Sequence, residues 1–171
     1  MLATKQLKDE HKAVKQALKI LEKICKKLDK GEKVDPKHIQ NLLEFLRVFV
    51  DKCHHTKEEG VLFPAMEKTG VPNEGGPIGM MLIEHDLGRG FIKGMVEGKD
   101  FTKNARNYIA LLNDHIDKED NILYMIAEMH LSFDEDKRLL KEFDKIEEEK
   151  VGKGKHEEFH RMLDNLKVIY K

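Results

Sequence analysis

The chain has 171 residues and a net charge of −1, with 31 basic and 32 acidic side chains interspersed along it. This length is sufficient for a single domain over residues 1–171 that folds without disulfides, and the absence of a basic stripe argues against nucleic acid as a partner. No apolar run approaches the roughly 20 residues that cross a bilayer, and the N-terminus lacks the pattern of a signal peptide, so we expect a cytoplasmic protein with no membrane partner.

The first predicted helix covers about residues 3–30. Between Leu7 and Leu28, apolar residues recur in alternating steps of four and three, which is typical of a helix that presents one stripe to the core of a bundle. His11 occupies a position of this stripe. We therefore expect its ring to point into the core, and we expect Gly31 to end the helix.

The second predicted helix begins at Asp35, an N-cap residue followed by Pro36 at the first helical position. Its stripe contains His54 and Glu58, which lie one turn apart and share a face. Pro64 is expected to kink the last turns before the loop of residues 70–77 ends the helix.

The third predicted helix repeats the same stepping from Ile78 to Met95, and its stripe contains His85. Gly88 follows this histidine by one turn. A residue without a side chain at this position leaves room either for the close approach of another helix or for a ligand.

The fourth predicted helix carries a stripe that begins at Ala105 and contains His115 and Glu119 on two successive core positions. Continued with the same period, the stripe predicts that Ile122 and Met129 also face the core. The stripe also includes Tyr108, and we expect this residue to pack in the core.

Residues 132–135 have the form of a capping box that opens a further helix, and residues 152–154 separate it from a last helical segment. In that segment His156 and His160 lie one turn apart; they either approach the core from outside or form a metal-free pair on a covering helix. The predicted fold is all-α: an up-down-up-down four-helix bundle over residues 2–130 with an additional C-terminal helical segment over residues 133–170.

Two short phrases occur twice in the chain. Residues 54–62 (HHTKEEGVL) match residues 115–123 (HIDKEDNIL), and a Glu-His pair precedes each copy, at residues 10–11 and 84–85. In an antiparallel bundle, helix rise places both single histidines roughly 10 to 12 Å from one end and both His-x-x-x-Glu pairs roughly 16 to 22 Å from it. The two halves therefore predict one shared site.

The predicted site contains four imidazoles and two carboxylates. Burial of two carboxylates without cations is costly, so the cluster indicates metal. Mixed nitrogen and oxygen donors favour iron or manganese over calcium or magnesium, and six ligands exceed the needs of one tetrahedral zinc, which favours two ions bridged by Glu58 and Glu119. The predicted ligands are His11, His54, Glu58, His85, His115 and Glu119.

The choice of His54 over His55 rests on the repeat, because His55 and Glu59 have the same spacing as the chosen pair. His55 aligns with Ile116, which cannot bind metal, so it is left as an auxiliary ligand or an outer partner. Glu59 and its counterpart Asp120 either orient the ligands or face solvent.

These motifs resemble the hemerythrin-like family of cation-binding four-helix domains over about residues 2–129. The resemblance is carried by both Glu-His pairs, by residues 54–64 and 115–119, and by Gly76-Pro77. It implies a non-heme centre of two iron ions on the same six ligands, with an oxo or hydroxo bridge. The small-molecule ligands it implies are dioxygen, nitric oxide or peroxide, and it implies no particular protein partner.

One position departs from the oxygen-carrying members of this family, in which a second histidine follows the histidine of the third helix by one turn. Here that residue is Arg89. The departure implies one metal ligand fewer, and it suggests that the guanidinium orients an anion or a peroxide at the mouth of the site.

The leading functional hypothesis is a di-iron protein that binds or senses small oxidants, with a peroxidase or a nitric oxide scavenger as its enzymatic variant. A ferroxidase or iron-handling protein of the ferritin-like kind is an alternative, although those sites carry Glu-x-x-His rather than His-x-x-x-Glu. The third hypothesis is a structural or signalling bundle that holds redox-silent zinc.

Overall fold

The computed structural model describes all residues 1–171, which form six helices and no strands. The all-α prediction is confirmed. None of the helices combines the length and the apolar character that a membrane span requires. The helices are α1 (Leu2–Asp29), α2 (residues 36–68), α3 (Pro77–Val96), α4 (residues 101–130), α5 (Phe133–Lys150) and α6 (Lys155–Ile169).

The predicted helix starts are formed as local caps. The side chain of Asp35 accepts a hydrogen bond of 2.9 Å from the backbone N–H of Lys37, and Pro36 opens α2. At α5 the capping box is complete, since the N–H of Glu135 donates to Ser132 Oγ at 3.2 Å and the N–H of Ser132 donates back to the Glu135 carboxylate at 2.7 Å. These contacts satisfy N–H groups that have no partner within the helix.

The apolar core consists of two clusters separated by a polar layer. One cluster contains residues on the C-terminal side of His11 in α1, and the other contains Ala3 and Leu7 on its N-terminal side. The four bundle helices each contribute to both clusters and cross the polar layer between them. The predicted histidines and glutamates all lie in this layer, where the apolar residues above and below exclude water from them.

Helices α2 and α4 contain wide π-helical turns at matching positions of the repeat, Glu58–Leu62 and Glu119–Leu123. Each of these turns begins at a predicted carboxylate ligand. Pro64 follows the turn in α2, but the turn in α4 has no nearby proline, so proline is not the common cause. π-Turns inside α-helices occur frequently at functional sites.

The prediction for the end of α4 was wrong. Ile122 and Met129 are 54% and 80% exposed, whereas Leu123, Tyr124 and Ala127 are buried. The π-turn inserts an extra residue into the helical repeat, which rotates every later side chain by about one position. The stripe that reached Glu119 therefore continues one residue later than a regular α-helix predicts.

The C-terminal residues form two helices, α5 and α6, that pack on α1 and α2. Asp136, in the first turn of α5, accepts hydrogen bonds of 2.9 Å from the backbone N–H groups of Leu2 and Ala3. These two donors have no partner within α1, because they belong to its first turn. The contact fixes the start of α5 against the start of α1.

Candidate metal centre

All six predicted ligands converge in the polar layer, and the structure adds His55 to them. The donor atoms form two groups, within each of which they lie within 4.8 Å of one another. We call the groups the first and the second subsite. The first subsite consists of His11, His54 and Glu119, and the second of His55, Glu58, His85 and His115; all seven residues are buried.

Each subsite brings together histidines from two helices. In the first, Nε2 of His11 lies 3.0 Å from Nε2 of His54. In the second, Nε2 of His85 lies 3.2 Å from Nε2 of His115. Two neutral imidazoles that aim their Nε2 atoms at the same point present the nitrogen donors that first-row transition metals prefer.

Glu58 lies between the two subsites. Its Oε1 atom is 3.4 Å from Nε2 of His54 in the first subsite and 3.5 Å from Nε2 of His85 in the second. A carboxylate in this position can contact ions on both sides.

Glu119 also spans both subsites. Its Oε2 atom is 3.1 Å from Nε2 of His11, and its Oε1 atom is 3.0 Å from Nε2 of His115. Each of the two carboxylates therefore contacts one histidine of the first subsite and one of the second.

Some atoms of the layer that could donate a lone pair to a metal ion have no hydrogen-bond partner. They include Oε1 of Glu58 and Nε2 of His55, both of which are buried and belong to the second subsite. An unpaired buried acceptor costs about 1–3 kcal/mol, and more when it is charged. Because these atoms point into one small volume, a cation in that volume would satisfy them together, so the residues fit a metal centre.

The Nδ1 atoms of the first-subsite histidines are held by carboxylates outside the centre. Glu10 accepts from His54 Nδ1 at 2.9 Å, and Asp120 accepts from His11 Nδ1 at 2.7 Å. Such a contact places the proton on Nδ1 and leaves the Nε2 lone pair facing the metal position.

The second subsite repeats this arrangement with longer contacts. Glu84 lies 3.3 Å from Nδ1 of His115, and Glu59 lies 3.5 Å from Nδ1 of His85. Of the two roles left open for these carboxylates, the structure therefore supports ligand orientation for Asp120, whereas Glu59 lies beside His85 and accepts a hydrogen bond from Arg89.

Two lysines support the outer carboxylates, and sequence analysis assigned no role to them. Lys57 is fully buried and donates to Glu10 at 2.8 Å, while Lys118 donates to Glu84 at 2.6 Å. The repeat carried the signal for them, because both lysines occupy the same position, three residues after the first histidine of each copy. Their positive charges keep the carboxylates ionised and in place.

Tyr124 is a further residue of the centre that sequence analysis missed. Its hydroxyl lies 2.9 Å from Oε2 of Glu58 and 3.4 Å from Nε2 of His11, and its ring stacks on His11. The register shift after the π-turn brings it into the layer. At the matching position of the repeat, Phe63 stacks on His85 without contributing a polar group.

His55 is turned into the second subsite and stacks on His85, with ring centroids 3.8 Å apart. Neighbouring side chains of a regular α-helix point about 100° apart. The π-helical stretch Leu46–His55 has wider turns, and both His54 and His55 are buried in the layer. Asp51, one turn earlier, accepts from Nδ1 of His55 at 3.2 Å and leaves its Nε2 free.

Arg89 does not have the role expected for it. Its guanidinium donates to Asp51, Glu59 and Asp86, and these three carboxylates hold it in place. Because Asp51 also holds His55, Arg89 orients that histidine from outside.

The space beside Gly88 serves helix packing. A Cβ atom at this residue would lie 3.5 Å from the ring of Tyr108, which belongs to α4. Of the two alternatives for this glycine, close helix approach is the one that the structure shows. Tyr108 packs in the apolar core as expected, and its hydroxyl has no partner.

Three histidines of the layer, His11, His85 and His115, bind protons strongly. Burial opposes the charged form of each ring, but the carboxylates outweigh it and raise the pKa of His11 and His85 to about 9 and that of His115 to about 10. Burial and the charge of Glu119 raise the pKa of Glu58. Burial opposes ionisation of Glu119 too, but His115 and His11 hold its pKa well below the usual value. Protons and metal ions therefore compete for the same nitrogens.

Comparison with known proteins identifies one family. The family model of the hemerythrin HHE cation binding domain matches residues 2–127. Searches of curated proteins and of solved structures returned no match. The matched range covers α1 to α3 and nearly all of α4, and it excludes α5 and α6.

Proposed function

The chain belongs to the hemerythrin HHE cation-binding family, and from this premise we propose that its polar layer binds two iron ions and that the centre binds or senses dioxygen, nitric oxide or peroxide. The observation that carries the proposal is the position of Glu58 and Glu119, each within 3.5 Å of a histidine of the first subsite and a histidine of the second. Two bridging carboxylates between two histidine pairs are suited to a pair of ions.

The donor set supports iron. Imidazole and carboxylate together suit iron, whereas the hard cations calcium and magnesium require oxygen shells. A structural zinc site uses four ligands in a closed tetrahedron, and seven converging donors exceed that number. When bound, an iron pair supplies reversible one-electron chemistry and affinity for small oxidants.

The two subsites differ in their number of imidazoles, and this difference favours the first subsite as the position of the small molecule. The second subsite has three imidazoles once His55 is included, whereas the first has His11 and His54 alone. With fewer protein donors, the first subsite leaves more room for an exogenous ligand. The hydroxyl of Tyr124 lies next to it, 3.4 Å from Nε2 of His11, and can donate a hydrogen bond there.

Metal analysis combined with absorption spectroscopy tests the proposal. The protein is loaded with ferrous ion without oxygen, freed of excess metal, analysed, and then exposed to air or to nitric oxide. We expect two iron ions per chain, absorption bands that appear on oxidation and fade with dithionite, and a spectral change of the reduced protein with nitric oxide. One zinc ion per chain, independent of iron supply, would contradict the proposal, and so would a loaded protein whose spectrum responds to neither gas.

A further inference from the structure

An open cleft of about 850 Å³ lies between α1 and the two C-terminal helices. Its wall carries two lysines, Lys5 and Lys153, against six acidic side chains. The excess of negative charge favours cations over anions in the cleft. The acidic residues are Asp9, Glu10, Asp144, Glu147, Glu148 and Glu157.

His156 and His160 stand in the wall of the cleft, one turn apart on α6. Their Nε2 atoms are 2.8 Å apart, and the ring centroids are 4.6 Å apart. The histidine pairs of the buried centre have Nε2 atoms 3.0 and 3.2 Å apart. The pair on α6 thus has the same convergence of nitrogen donors, but at a surface that solvent reaches.

Glu147 gives this pair an outer carboxylate of the kind that His11 and His54 have in the centre. Its Oε1 atom lies 2.6 Å from Nδ1 of His156, which leaves Nε2 of His156 directed at His160. A carboxylate behind the ring fixes the tautomer and increases the basicity of the free nitrogen.

The same glutamate links the cleft to the buried centre. Oε2 of Glu147 accepts a hydrogen bond of 3.0 Å from Lys57, and Lys57 donates to Glu10 at 2.8 Å. Glu10 lines the cleft with one part of its side chain and contacts Nδ1 of His54 at 2.9 Å with another. Glu10 therefore separates the cleft from the first subsite and contacts both.

We infer that His156 and His160 form a solvent-accessible site for a divalent transition-metal ion, and that this site takes up ions that then fill the buried centre. Two imidazoles supply the protein donors, and water completes the coordination of the ion. Both histidines and Glu147 lie outside the part of the chain that the family model matches. The binding site stands on its own geometry, whereas its loading role rests on the proposed function of the centre.

Titration of the iron-loaded protein with Ni²⁺ tests the outer site, with isothermal titration calorimetry as the measurement. We expect one additional ion per chain, and we expect His160→Ala and His156→Ala each to weaken its binding about tenfold or more. His130→Ala is the matched control, because His130 is exposed and bonds only to a carbonyl of its own helix. No additional ion in the unmodified chain, or equal binding by all variants, would overturn the inference.

The loading role is tested by the rate at which metal-free protein takes up Fe²⁺ under anaerobic conditions. His160→Ala is the informative variant, because the side chain is exposed and its removal leaves no buried cavity. We expect several-fold slower uptake with the same final iron content, and unchanged uptake by His130→Ala. Equal rates would overturn the loading role. A chain that never retains two iron ions would instead contradict the proposed function, and the outer site is then judged on metal-free protein by whether His160→Ala binds one Ni²⁺ ion fewer than His130→Ala.

Discussion

The hydroxyl of Tyr124, on α4, donates a hydrogen bond of 2.9 Å to Oε2 of Glu58, on α2. The two helices are thereby joined across the polar layer at a carboxylate that contacts both subsites. The repeat places Phe63 at the matching position in α2, so only one side of the centre has this bond. Besides the additional imidazole of the second subsite, this phenol is therefore a second difference between the two sides of the layer.

Tyr124→Phe should therefore destabilise the protein, because it leaves a buried carboxylate oxygen without its donor. The expected loss in the free energy of unfolding is about 1–3 kcal/mol, measured by denaturant titration of the metal-loaded protein. Tyr108→Phe is the control: it removes an equally buried hydroxyl that has no partner, so it should be neutral or stabilising. Equal losses in both variants would mean that the bond to Glu58 contributes nothing.

His54→Ala and His55→Ala should differ in metal content. His54 is paired with His11 and has a ligand counterpart in the repeat, so its loss should remove an ion from the first subsite. His55 is one of three imidazoles in the second subsite, so its loss should preserve two ions while changing their absorption spectrum. Elemental analysis and spectra of both variants decide the point, and a greater loss of metal in His55→Ala would reverse the assignment.

Removal of metal should lower the midpoint of thermal unfolding. The ligands converge only in the folded chain, so bound metal stabilises folding, by about 3–4 kcal/mol when its free concentration is 100 to 1,000 times the dissociation constant. Melting curves of loaded and metal-free protein, with metal content verified, provide the measurement. Identical midpoints would show that the ions bind outside the folded layer.

The stability of the metal-free protein should fall as pH rises from about 6.5 to 10. Its histidines have pKa values raised to about 9 for His11 and His85 and about 10 for His115, so the stability from their charged forms is complete below the unfolded value of 6.5. It is lost as pH rises through the folded values, because the rings then lose their charge beside the carboxylates.

The loaded protein should not show this loss, because metal-bound imidazoles are neutral throughout the range. The difference in melting midpoint between loaded and metal-free protein should therefore widen toward pH 10. For the same reason, Fe²⁺ binding at pH 7 should release protons, which titration in buffers of different ionisation enthalpy detects. A midpoint difference that is constant with pH, together with no proton release, would contradict the raised pKa values.

Part of the centre was predictable because helix periodicity is a local property. The spacing of His54 and Glu58, repeated at His115 and Glu119, places each pair on one helix face whatever the rest of the chain does. The caps at Asp35 and at residues 132–135 are likewise contacts between residues close in sequence, and they form as predicted.

The remainder depended on contacts between distant segments. No local signal separates a π-turn from an α-turn, so the register shift that buries Tyr124 and exposes Ile122 was not predictable from periodicity. The sequence alone allowed the side chain of Arg89 to point toward the centre. In the structure its N–H groups donate to Asp51 and Glu59, which belong to another helix.

The sequence by itself determined the helices, their apolar stripes as far as the π-turn of α4, and the six candidate donors, because these follow from the spacing of residues within one helix. Only the tertiary structure decided that His55 joins the second subsite and that Lys57 meets Glu147, 90 residues away along the chain. Such contacts form when helices pack and desolvate their polar groups against one another, and a one-dimensional pattern contains no record of which partners meet.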